Sequence, residues 1–438
     1  MNTSPPRAGA PRAGRPAPPP PPGPRQPHGP WRLQHLLWAP HRVAFFLALA
    51  VLLASGLWWA AVQVDRATGA LGLAYAVSPT VTHAAVMSLG FMPLFFAGFL
   101  FTAGPKWLGV QAPEAPALLP ALLPQTLGWL LWLAGAHTHL ALALAGLVLV
   151  LFGLTWQNLG FWRLVRASRQ SDRLHATVVA IAGSVGVVCV AGLLVALGLG
   201  ALHIALAFVV SALWGFIAPT YLAVAHRMIP FFTSSAVPMV KSWRPFWVLW
   251  FLLATAVLEL LAVWLDAFGI RAPAVMALRG LAELAAGGVV LWLGVAWGLV
   301  QSLRIRLLAM LHLGFVWLGL SLLLAGASQW IGLFAGAPVL SLGALHALTM
   351  GFFGSTLLAM VTRVACGHSG RTLVADTLIW VLFWLLQLAV LLRIVGAVVS
   401  APVWVLPLSA SLWAALMLVW GLRLGGWFGR PRVDGRPG

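Results

Sequence analysis

Residues 345–371, LHALTMGFFGSTLLAMVTRVACGHSGR, set His346 in an apolar run with no other ionisable side chain before Arg363. Lipid solvates an imidazole poorly, so a histidine at such a position pairs with a polar group, relays protons or binds a metal. A second histidine, His83, opens another apolar run, 80–103. If both runs are membrane helices, His83 lies three residues inside its run and His346 six. At about 1.5 Å per residue their depths are roughly 5 and 9 Å. Two neutral imidazoles at similar depth on two helices are the donor set of a bis-histidine haem. Gly343, Met350 and Gly354 share the helical face of His346, and Met87 and Gly90 that of His83. Glycines let a flat macrocycle approach the backbone, and methionines pack softly against it. The same pattern also serves close helix packing, and a lone imidazole can simply bond a neighbouring carbonyl.

The remaining polar groups sort by depth. His137, His139 and His203 are expected with His83 and His346 near the outer surface, and His175, His226, His312 and His368 near the inner one. Glu259 and Glu283 fall in the outer parts of their runs, as a proton path to the outer layer or as partners for an arginine such as Arg279. Arg271, Arg279 and Arg393 are outer cations able to hold haem propionates. Cys366 and His368 form a Cys-x-His pair whose thiolate and imidazole suit copper or zinc. Two ligands do not complete a site, and a helix-ending turn at Gly367 and Gly370 is the plainer reading.

The elements that must position these groups are membrane helices. The chain of 438 residues is 61% hydrophobic and 8% charged, far from soluble averages. Twelve apolar runs of bilayer-crossing length cover 43–64, 80–103, 116–136, 140–160, 174–197, 201–225, 245–265, 281–300, 307–327, 340–364, 373–396 and 402–422. The run at 116–136 carries Pro120 and Pro124, and losing it would invert every later orientation. With both termini cytoplasmic, 22 of the 26 lysines and arginines fall inside, against Arg66, Arg271, Arg279 and Arg393 outside. That asymmetry follows the positive-inside rule. The fold class expected is therefore an all-α polytopic membrane protein: a Pro/Arg-rich disordered tail over 1–42, a twelve-helix membrane domain over 43–422 and a basic cytoplasmic tail over 423–438. The net charge of +18 suits attraction to an anionic lipid bilayer rather than to nucleic acid. No cleavable signal peptide is expected ahead of the first run, and no disulfide from Cys189 and Cys366.

Taken as a set, several stretches resemble the NnrS family of bacterial inner-membrane proteins. LHALTMG with TRVACGHSGR carries the likeness, and HAAVMSLGFMPLFFAGFLFTAGPKW, RMIPFFT and LHLGFVWLGL agree with it in family order, from about residue 80 to 372. The resemblance implies a multi-pass protein of the bacterial cytoplasmic membrane that contains haem and copper and is tied to nitric oxide metabolism and denitrification. It points to His83, His312, His346 and His368 as the functional histidines, with Arg227, Arg363 and Arg371 beside the motifs. One departure stands out. Where the family commonly reads His-Ala-His-Glu-Met, this chain has His83, Ala84, Ala85, Val86 and Met87, so a function of the second histidine and the glutamate would be lost. The layout is also similar to haem–copper oxidase core subunits, yet the seventh run has no histidine and the tenth only one at its outer end, against oxidase chemistry.

Two functions follow. The first is a haem protein that handles nitric oxide, with His83 and His346 as axial ligands near the outer face, Arg393 at the propionates and an electron donor of unspecified kind. The alternative is a secondary transporter without a redox cofactor, with Pro219 and Pro230 marking broken helices. No charged midplane site and no repeat between the halves supports the alternative.

Overall fold

The computed structural model describes residues 29–336, 340–398 and 400–436, and these are helical throughout with no strand among them. Twelve helices are long and apolar enough to cross a membrane, which makes this a multi-pass membrane protein. They are α1 Pro40–Thr68, α2 Pro79–Leu108, α3 Ala115–Thr138, α4 Leu140–Ala167, α5 Leu174–Gly198, α6 Leu202–Ala236, α7 Phe246–Ala267, α8 Pro273–Ala296, α9 Arg306–Ala335, α10 Ser341–His368, α11 Thr377–Val395 and α12 Val405–Phe428. Local chemistry sets their ends. Proline at the first turn starts α1, α2 and α8, where its missing N–H costs nothing. Left-handed glycines stop α1 at Gly69 (φ 68°), α2 at Gly109 (φ 62°) and α9 at Gly336 (φ 76°).

The proline-bearing α3 is a full-length helix. After a 3₁₀ turn over Ala115–Leu118, Pro120 occupies the first turn of its α-helical part and Pro124 lies inside, and close packing on α4 supports it. Gly128, Gly135, Gly146 and Gly153 bring the two backbones together, so that a Cβ on Gly146 would sit 2.9 Å from the Trp132 nitrogen. Small residues of this kind are how helices associate where no hydrophobic effect drives them.

The helices are not equally enclosed. The apolar windows of α2, α10, α9 and α6 are 83, 72, 67 and 61% buried, against 28% for α8. Three of these inner helices share a backbone feature. α2 winds as a π-helix over Val86–Gly90, α6 over Leu213–Ile217 and α10 over Ala347–Gly354. A π turn loosens the ladder and leaves carbonyls for other partners; in α10 the Phe353 carbonyl accepts from Tyr221 Oη of α6 at 3.3 Å. On the far side Gln387 of α11 donates to Ser355 Oγ at 3.0 Å and accepts from Trp317 Nε1 of α9 at 2.6 Å, which ties α10 to both neighbours.

Both expected tail boundaries shift. Residues 1–28, most of the expected disordered segment, lie outside the described residues. Residues 29–42 are packed rather than loose: a 3₁₀ turn over Leu33–Trp38 lies against the end of α12. Trp31 Nε1 donates to the Gly425 carbonyl at 3.1 Å, His35 Nδ1 to that of Gly429 at 2.8 Å, and Arg42 to Phe428 and Arg430 at 3.1 and 2.9 Å. These are the carbonyls that a helix end leaves unpaired, and a cation there is doubly favourable. The C-terminal segment folds back as well. Helix α12 runs on to Phe428, the Val433 amide donates to the Ser369 carbonyl at 3.0 Å, and Arg432 bonds Asp434 and the His368 carbonyl. The Arg432 guanidinium holds the Asp434 carboxyl down at about 2.

Replacing Gly146 with Leu should cost about 1–3 kcal/mol by overpacking, read as a lower unfolding midpoint in a denaturing-detergent titration. Gly288→Ala, where a Cβ meets nothing within 4 Å, should leave the midpoint unchanged.

Candidate functional site

His83 and His346 come together. Pro79 starts α2 four residues before His83, and its first turn is fixed by Trp132 Nε1 of α3, which donates to the Thr82 carbonyl at 3.2 Å. His346 closes the ordinary α-helical part of α10 just before the π segment begins, as His83 nearly does in α2. The two rings are 6.3 Å apart between centres and within 9° of parallel. Metal–nitrogen bonds of about 2.0–2.1 Å, with roughly 1.1 Å from each nitrogen to its ring centre, place two imidazoles on opposite sides of one metal at about 6.3 Å. The distance between the ring centres is of that length.

Their nitrogens are available. His346 Nδ1 lies 2.8 Å from the Leu342 carbonyl; a carbonyl only accepts, so Nδ1 carries the proton and Nε2 keeps its lone pair. This arrangement orients and enriches a ligating imidazole. His83 makes no hydrogen bond among the described residues, and its Nδ1 is buried without a partner. Its ring is held by stacking instead: Trp59 of α1 lies 3.7 Å away at 20°. The guanidinium of Arg66, about two helix turns further along α1, sits 5.3 Å from the Trp59 ring. At the end of α11, Arg393 has a buried Nη1 with no partner, and its charge acts on both imidazoles.

Other expected participants are committed elsewhere. His137 accepts from Trp58 Nε1 at 2.7 Å and donates to the Ala74 carbonyl at 2.8 Å, while His139 caps α4 through the Ala141 amide. Arg279 is not free for a propionate. It bonds Glu283 at 2.7 Å and Asp266 at 2.8 Å and lies 3.6 Å from Glu259. The glycines expected to face a macrocycle pack on side chains: Gly90 on Val51, Gly343 on Ile394 and Gly354 on Trp413.

His312 and His368 do not join His83 and His346. His368 ends α10, some 22 residues beyond His346, about 33 Å along a helix. His312 Nε2 donates to Thr233 Oγ1 at 2.9 Å, whose hydroxyl in turn donates to the Ile229 carbonyl. His368 faces His41, with ring centres 4.2 Å apart; His41 was hidden from sequence reasoning by the tail boundary drawn at residue 42. His175 Nε2 meets His226 Nδ1 at 3.0 Å, and His226 Nε2 donates to the Pro245 carbonyl at 3.1 Å. Cys366 lies in the last turn of α10 rather than in a turn after it, buried and unpaired like Cys189 of α5. Among the described residues no group of three or more His, Cys, Asp or Glu is arranged to hold a metal.

Arg66 and Trp59 are the site residues that sequence reasoning missed. An arginine seven residues after a tryptophan on the first helix was a readable pairing, but Trp is common at membrane boundaries and hid it.

Removing the one cation among three carboxylates leaves buried charge uncompensated, so Arg279→Gln should destabilise the protein by about 3–5 kcal/mol. Thermal unfolding in detergent checks this, with Arg271→Gln, an exposed position, expected to have no effect.

A family model described as NnrS protein matches residues 35–432. No curated protein matches the chain. The matched range begins at His35, which bonds the segment after α12, and ends at Arg432, which bonds the end of α10. The chain belongs to the NnrS family.

Proposed function

We propose that this protein is a bis-histidine haem protein of the bacterial inner membrane that handles nitric oxide, with His83 and His346 as the axial ligands near the outer face. The observation that carries the reading is the pair of near-parallel imidazoles 6.3 Å apart, each with an uncommitted nitrogen. Family membership connects the protein with nitric oxide in general terms. Nitric oxide is uncharged and partitions into lipid, so a membrane site meets it without a polar entry pocket.

A bound haem would supply a one-electron couple, and with both imidazoles on the iron it would take the gas only where one of them is released. The chain's own residues do the rest. The Leu342 carbonyl holds the proton of His346 on Nδ1 and so keeps Nε2 a donor. Trp59 covers one face of His83, excludes water there and limits its rotation. Arg393 presents an unpaired buried N–H. A guanidinium in that position calls for an anion, and a haem propionate is a planar carboxylate suited to it. Arg66, held over Trp59, is the second cation on the His83 side. Together they favour the state that has gained an electron. His312 and His368 stand outside this site.

Purified wild-type protein should show a reduced-minus-oxidised haem spectrum with about one haem per chain by pyridine haemochrome. His83→Ala or His346→Ala should reduce that content at least ten-fold while the protein stays in the membrane; His312→Ala should leave it unchanged. A colourless preparation from haem-sufficient cells, or full haem in both single variants, overturns the assignment.

A further inference from the structure

Beside the histidine pair lies a group of ionisable side chains that the haem reading does not use. Asp266 and Glu259 come from α7 and Arg279 and Glu283 from α8. Glu259, Asp266 and Arg279 line a cavity of ≈ 360 Å³ between α6, α7, α8, α9 and α10, room for roughly ten waters at about 30 Å³ each. Its rim residues His203, Asp266, Ser341 and Leu342 are exposed, whereas Glu259 at its inner wall is only 4% exposed. Glu259 Oε1 is buried and makes no hydrogen bond.

Charge is unbalanced here. One guanidinium faces three carboxyl groups, and it does not serve them equally. Arg279 donates through Nε to Glu283 at 2.7 Å and through Nη1 to Asp266 at 2.8 Å, leaving Glu259 at 3.6 Å from Nη2, beyond hydrogen-bond range. Asp266 is half exposed on its side chain; Glu259 is not. Among the described residues, the one other titratable side chain lining the cavity is His203 on α6. Helix α9 contributes Ser321 and Gln329, and α10 contributes Ser341 with apolar neighbours. A carboxylate so enclosed and so poorly compensated neutralises by taking up a proton.

We propose that Glu259 is a proton-binding site, holding one exchangeable proton that reaches it from the aqueous phase through this cavity. In loading, a hydronium in the cavity gives its proton to Glu259 Oε1 and becomes water; release reverses the transfer. Glu283 stays ionised on Arg279. The cavity wall includes Leu342, whose carbonyl holds the His346 proton, so the site borders the helix that carries one of the two imidazoles. The inference does not rest on the haem reading, and its test does not require haem.

The chain makes the test unusually direct, because Glu114, Glu259 and Glu283 are its three glutamates. Protein labelled with ¹³C at the glutamate carboxyl and held in lipid nanodiscs would be followed by infrared and ¹³C magnetic resonance against pH. At neutral pH one of the three carboxyls should be protonated, shift on transfer to D₂O, and vanish in Glu259→Gln. In Glu283→Gln, Arg279 is freed for Glu259, and the protonated fraction at pH 7 should fall about ten-fold. Three ionised glutamates in the wild type overturn the proposal without any variant. So does a neutral carboxyl that survives Glu259→Gln or fails to exchange with D₂O. Loss of the haem spectrum with the neutral carboxyl retained would sink the haem reading alone.

Discussion

Hydrocarbon offers no hydrogen bonds, and this constraint organises the molecule. Many polar groups along the helices pair within the bundle: Gln125 with Gln157, Gln387 with Ser355 and Trp317, Trp420 with Thr362, His226 with Pro245. Serines and threonines mostly bond back to their own helix, as Thr126 and Thr255 do. Against that background the exceptions carry information. Unpartnered buried polar atoms occur at both ends of the bundle, on His41, His175, His312 and Arg371 as well as on His83, Arg393, Glu259 and Glu283. Such a group is costly in a membrane interior, and those on His83 and Arg393 are the ones that stand beside the paired imidazoles.

Geometry at the paired imidazoles depends on backbone irregularity. The π segments occur in every fourth membrane helix, α2, α6 and α10. In α2 and α10 the segment starts within three residues of the histidine. The wider turn changes which residues face inward, so each helix can present its imidazole near the surface and still pack its deeper half on the core. Such a turn forgoes regular bonds, and the surrounding helices hold it, through Tyr221 on α10 and Trp132 on the start of α2. The positions on helix and ring plane that bring two imidazoles to 6.3 Å are thus set by residues on four helices.

Much of this was legible in the residues. Twelve helices followed from apolar length, and His83 and His346 stood out because lipid makes a histidine conspicuous. The Arg279–Glu283 pair lies four residues apart on one helix, a spacing that sequence displays directly. What stayed hidden depends on helices remote in sequence. Nothing in the chain order brings Trp59 onto His83 or His41 onto His368. The packed 29–42 segment was hidden for another reason: its Pro- and Arg-rich approach looks like a disordered tail, and its partners are carbonyls of α12, 386 and 388 residues later for Arg42. Backbone acceptors leave no trace in side-chain patterns.

The departure in the helix 2 motif gains a physical meaning from the same packing. Ala85 and Val86, where the family commonly has histidine and glutamate, are fully buried. They sit on the side of α2 that the core encloses, so this helix has no side chain to move a proton past His83. The buried carboxyls at this end stand instead on α7 and α8, and that of Glu259 on α7 is at the wall of a cavity that reaches α10. Electron and proton chemistry, if the chain combines them, are therefore divided between two separate helix pairs: the imidazoles on α2 and α10, the carboxyls on α7 and α8. The shared element is the first turns of α10, where Leu342 faces the cavity and its carbonyl fixes the tautomer of His346.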